Sequence, residues 1–163
     1  MGRRVANGAM LVALAMIFGY VEVLIPFDFM VPGVKLGLAN LVVISGIYVM
    51  KWQDVLLVSV LRIVLSAVLF GNVMTLAYSF AGAFLSFLTM LLLKRIRGLS
   101  VVTVSAAGGV AHNIGQLIAA AVMVKNIHVF VYFPVLIIAG VLTGGVIGML
   151  AGRLMHPMKQ HLR

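Results

Sequence analysis

The chain contains no cysteine, which excludes a disulfide framework and thiolate chemistry. It is almost as poor in acids: Glu22, Asp28 and Asp54 are the only three in 163 residues. Paired carboxylates for acid–base work, or clustered ones for Mg²⁺, therefore have little to be built from. No Walker A sequence and no glycine-rich phosphate loop stands out, so ATP hydrolysis would have to come from a partner. Charged residues make up only 9% of the chain, while 64% is hydrophobic. A soluble domain of this length cannot hide that much apolar surface behind so few charges. Composition makes residues 1–163 a single membrane domain. The first apolar run is long and has no clear cleavage site, so it reads as a span and not as a signal peptide. Eleven methionines in so apolar a chain read as core or lipid-facing filler and not as a metal array.

A membrane helix needs about 20 mostly apolar residues. The hydropathy pattern predicts six, at roughly 6–25, 36–50, 54–70, 73–93, 100–124 and 130–152. The second is short, and Arg62 interrupts the third. The connections are brief, so successive helices should pack as antiparallel hairpins. The expected architecture is an all-α bundle of six transmembrane helices.

The net charge of +9 is laid out unevenly. Arg3, Arg4, Lys51, Lys94, Arg95, Arg97, Arg153, Lys159 and Arg163 all fall on one predicted side, whereas only Lys35 and Lys125 fall on the other. The positive-inside rule then places both termini in the cytoplasm. The excess is a topological signal with some attraction to anionic lipid, not a nucleic-acid footprint.

Polar residues inside apolar spans locate a candidate site. In the fifth span Ser105, Gly109, His112, Asn113, Gln116 and Ala120 recur at three- and four-residue steps and so share a side of the helix. The fourth span repeats the device with Thr75, Tyr78, Ser79, Gly82, Ser86 and Thr89, the third with Ser59, Arg62 and Ser66, and the first with Ala15, Gly19 and Glu22. Such stripes should face the bundle interior or a watery cavity, because polar groups facing lipid are penalised. His112, Asn113 and Gln116 have two readings: hydrogen bonds to another helix, or a ligand.

Arg62 stands near mid-membrane, where an arginine costs roughly 2.5–3.5 kcal/mol on insertion scales. Either it meets an anionic ligand group, to which its fork is suited, or it has a structural role, paired with Glu22, the one plausible intramembrane carboxylate, or bonded to helix carbonyls. Small residues serve another purpose. Gly140, Gly144, Gly148 and Gly152 repeat at four-residue steps in the last span and let a second helix approach closely. Ala9 and Ala13 share a face of the first span that points roughly opposite to Ala15 and Gly19, so one face can look inward while the other meets a second protein. In "VPGVKLGLANLV", Pro32 and Gly33 break the chain ahead of the short second span, and Lys35 and Asn40 follow. A broken helix entry is tolerated where it lines a cavity.

The stretches "PGVKLGLANL" and "GGVAHNIGQL", with a six-span layout, resemble the small membrane proteins called heptaprenyl diphosphate synthase component I, or the Gx transporter family. The resemblance covers about residues 30–155. That family is in turn similar to the substrate-binding S-components of energy-coupling factor importers. The likeness implies a multi-pass protein of the bacterial cell membrane that binds a vitamin or small precursor near the outer face. It would dock through its first helices on a transmembrane scaffold subunit with paired ATPases. Ala9 and Ala13 would then be docking residues, and the 28–36 loop with the outer parts of spans four to six would form the pocket. The expected ligand contacts are Arg62, Asn113, Gln116, His112, Asn40, Lys35, Tyr78, Ser79 and Glu22, with no cofactor and no metal. Prenyl chain elongation needs clustered aspartates to hold Mg²⁺. Asp28 and Asp54 are predicted on opposite sides of the membrane, so the chain is not expected to be an enzyme by itself. The other reading is an accessory subunit in isoprenoid or quinone biosynthesis.

Overall fold

The computed structural model describes residues 2–24 and 37–161. They form six α-helices: α1 (Gly2–Leu24), α2 (Leu38–Val49), α3 (Trp52–Phe70), α4 (Val73–Leu93), α5 (Val101–Val124) and α6 (Phe133–His161). A 3₁₀ turn, Ile127–Tyr132, leads into α6. Local chemistry sets several of the boundaries. Asn72 and Thr75 close a reciprocal capping box at the start of α4: Thr75 N donates to Asn72 Oδ1 at 2.9 Å, and Asn72 N donates to Thr75 Oγ1 at 2.8 Å. Thr75, expected on a polar stripe, is thus occupied by the cap. Ser100 caps α5, with its Oγ accepting from Thr103 N at 3.1 Å. That helix ends where Lys125 turns left-handed, at φ 51°.

α3 to α6 are long and apolar enough to cross a membrane. The described apolar stretch of α1, Gly8–Val21, is shorter, and α2 has only 12 residues. At 1.5 Å per residue α2 reaches about 18 Å, well short of the ~30 Å hydrocarbon layer. Its position accounts for its character. It packs against α1, α3, α4 and α6, and every residue from Leu41 to Ile47 is buried. A helix enclosed on all sides is apolar all round. Ile44 and Ile47 of this helix, with Val55 and Val104, are the largest fully buried side chains.

The outside of the bundle is oil-like. Leu57, Val68, Phe84, Val122, Ile138 and Leu142 are all exposed. An apolar surface of this extent is compatible with lipid and not with water. The chain is a membrane protein with transmembrane helices.

Charge separates the two ends. Lys94 Nζ donates to Ile47 O and sits 5.2 Å from the Tyr48 ring centre, joining the end of α4 to the end of α2. A cation over the last carbonyls of a helix opposes its dipole. That contact brings the α2–α3 and α4–α5 connections, with Lys51, Arg95 and Arg97, to one end. Arg153 lies near it, because Gly148, about one turn earlier on α6, packs on Val102 at the start of α5. Lys125 lies at the other end.

Candidate functional site

α5 is the helix on which the interior is assembled, and glycines decide how close its neighbours come. Toward α6, a Cβ at Gly144 would stand 2.6 Å from Ser105 O, and one at Gly148 would stand 2.6 Å from Val102 Cα. Gly109 and Gly140 face each other in the same seam, backbone on backbone. Toward α4, a Cβ at Gly82 would meet Gln116 Cγ at 2.8 Å and His112 O at 2.9 Å, and one at Gly108 would meet Met90 Cγ at 2.6 Å. Both approaches require glycine, because any side chain would push backbones or packed groups apart. Gly152, the last of the expected four-step series, has open space where its Cβ would be.

Where the first turn of α2 meets α4, α5 and α6, the seams part. Gly37 and Asn40 of α2, Ser86 and Met90 of α4, His112, Asn113 and Gln116 of α5, and Thr143 of α6 line the cleft between them, together with glycines. Its cavity volume is about 20 Å³, room for about one or two water molecules. The described lining contains no Asp, Glu, Lys or Arg.

The polar groups around the cleft are not equivalent. Asn113 is 8% exposed, and its Nδ2 donates to Leu136 O of α6 at 2.7 Å, a direct cross-link between two helices. Thr143 Oγ1 donates to Ala139 O of its own helix at 2.8 Å, the usual back-bond of a helical threonine. Ser86 is 2% exposed, and its Oγ has no hydrogen-bond partner. A buried hydroxyl without a partner costs roughly 1–3 kcal/mol. It is a hydroxyl on the wall that the fold itself leaves unanswered. The lip of the cleft is the N-terminal turn of α2. Gly37, at φ 71°, precedes the helix without a side-chain cap, and the first N–H groups of a helix have no partner within it.

Of the residues expected to bind ligand, Asn40, His112, Asn113 and Gln116 converge on this cleft. Arg62 is partly buried on α3 and does not line it. Tyr78 and Ser79 are partly buried on α4, one turn before Gly82, and also stand outside the wall. Lys35 and the 28–36 loop lie outside the described residues, as does the side chain of Glu22. On α1 the two expected faces separate: Ala15 is fully buried, whereas Ala9 and Ala13 are exposed.

Residues that the expected ligand set omitted are Ser86, Ser105, Met90, Thr143 and the paired glycines. Ser86 and Ser105 were signalled by their place on the polar stripes. Gly108 and Gly109 were signalled by sitting one turn before His112 and Asn113. Thr143 carried no signal, since it is the one polar side chain among glycines and aliphatics. Comparison with curated proteins yields no match, and comparison with solved structures yields none. Residues 11–154 match the model of the family described as heptaprenyl diphosphate synthase component I, and the chain belongs to that family.

Proposed function

We propose that the protein is the substrate-binding membrane subunit of an importer for a vitamin or small precursor, in the manner of an energy-coupling factor S-component. The observation that carries this reading is the cleft. Polar side chains from four helices converge inside a bundle whose outside is apolar, and they leave a buried hydroxyl unanswered. A structural scaffold has no use for that arrangement, since replacing partnerless polar groups by apolar ones would stabilise it. In this reading both termini are cytoplasmic, all six helices contribute to crossing the bilayer, and the basic end faces the anionic leaflet. Ala9 and Ala13 face outward on α1 as a small-residue surface on which a scaffold helix can lie closely. The chain itself catalyses no reaction; energy comes from paired ATPases bound to that scaffold. Arg62, on α3 and outside the described wall, acts as a structural charge or as a contact that forms when substrate enters.

A second reading rests on the family description, which names a component of a prenyl diphosphate synthase. There the protein is a membrane accessory whose basic end, with Arg95 and Arg97 exposed, receives a soluble synthase. Purification of the tagged chain from its native membranes in mild detergent separates the two. The importer reading expects a polytopic scaffold protein and two ATPases in the eluate. A soluble prenyl synthase without ATPases would overturn it.

A further inference from the structure

The cleft also carries chemical information about what enters it. We propose that it receives the carboxylate, or an equally small single negative charge, of a substrate whose remainder lies outside the cavity. This inference rests on the substrate-binding reading above and names the substrate class.

Three observations support it. The first is size. About 20 Å³ admits a group of two or three atoms and excludes a ring or a chain. The second is the sense of the hydrogen bonds. Ser86 Oγ–H is a donor with no acceptor inside the fold. Asn40 brings a side-chain amide to the same wall, its Nδ2 lying 3.2 Å from where a Cβ on Gly37 would be. The α2 entrance adds the backbone N–H groups of Leu38 and Ala39, with no side-chain cap at Gly37, whereas Asn40 N already donates to Gly37 O at 2.7 Å. No carboxylate among the described lining residues competes for these donors. The third is charge. α2 has 12 residues, enough for its N-terminus to behave as roughly half a positive charge. Ala39 of that first turn is buried, and Gly37, Leu38 and Asn40 are partly buried, which reduces the water that would screen it. Interrupted membrane helices present this end to anionic substrate groups. The same accounting excludes a diphosphate from the cleft. Two or three negative charges would face no lysine or arginine on the described wall, and uncompensated charge within a membrane is expensive.

The test uses the full chain in lipid nanodiscs, ¹⁵N-labelled, with the amide signals of Leu38, Ala39 and Asn40 followed by NMR. The probes are acetate and benzoate, their neutral counterparts acetamide and benzamide, and pyrophosphate. The carboxylates should shift these signals saturably, at concentrations at least tenfold below those the amides require, and pyrophosphate should leave them unmoved. In Ser86→Ala, which removes one oxygen and keeps the helix, the carboxylate affinity should fall roughly tenfold or more. Equal or better response to the amides, response to pyrophosphate, or unchanged benzoate affinity in Ser86→Ala would overturn the inference while leaving the cleft as a binding site. If no probe shifts these signals, the cleft is not a site, and the substrate-binding reading falls with it.

Discussion

α5 has two working faces built from the same kind of residue, and they do opposite things. Toward α6 its glycine, serine and asparagine positions are consumed by contact: Gly109 lies on Gly140, Ser105 on Gly144, and Asn113 on Leu136 O. Toward α4 and α2 the spacing looks the same, but the contacts run out. Gly82 and Gly108 bring α4 in, and the space beside them is left to Ser86, Gln116 and Asn40. Polarity inside a membrane bundle is therefore not in itself a site. What distinguishes the two regions is whether the hydrogen bond is already made.

Substitutions can break or sharpen that contrast. The largest effect is expected at the closed seam. Gly144→Leu places side-chain atoms where Ser105 O and the Ala106 backbone already are, and overpacking of this kind costs about 1–3 kcal/mol. Thermal unfolding in detergent should show a clear loss of stability, whereas Gly145→Leu next to it, whose Cβ would meet nothing, should show little. Asn113→Ala comes next. It removes the bond to Leu136 O, and interhelical hydrogen bonds in membranes average about 0.6 kcal/mol, so a stability loss of about that size is expected, read in the same assay. Lys94→Met should do less still to stability, because the pair it makes with Ile47 O and Tyr48 is at the rim of the bundle. Its effect should appear instead as faster hydrogen exchange at the C-terminal turn of α2. The smallest stability effect is expected at the open face. Gln116→Leu keeps the volume and should leave melting within about 0.5 kcal/mol of the parent while abolishing ligand retention. A melting loss at Gln116 as large as that at Asn113 would erase the distinction between the two faces.

Much of the scaffold was legible from hydropathy. The span expected over 73–93 is α4, and the one over 100–124 is α5 to within a residue. The short second span was visible too, but its reason was not. Periodicity cannot tell that a short apolar helix is packed on four neighbours, as α2 is. The last helix runs beyond the expected 152 to His161, since polar residues after the apolar stretch extend it. The candidate site was half legible. The stripe on α5 gathered His112, Asn113 and Gln116, which line one cleft, because three- and four-residue spacing is a property of the helix itself. Whether each side chain already has a partner depends on the register between helices, and sequence spacing carries no information about that. Hence Asn113 looked the same as Gln116, although it already binds α6, and Ser86 was one of six stripe positions on α4 although it alone has a buried, unanswered hydroxyl.

The central claim is that the cleft holds a small molecule in the native membrane. The direct measurement is mass spectrometry of what solvent extracts from the purified wild-type protein and from the Asn40→Leu/Gln116→Leu variant, both isolated from the native host. The two substitutions keep side-chain size while removing polar groups from the wall, and matched melting curves would certify the fold. The account predicts one compound present at near-stoichiometric amount in the wild type and lost from the variant. The same compound recovered equally from both, or none from the wild type, would contradict it.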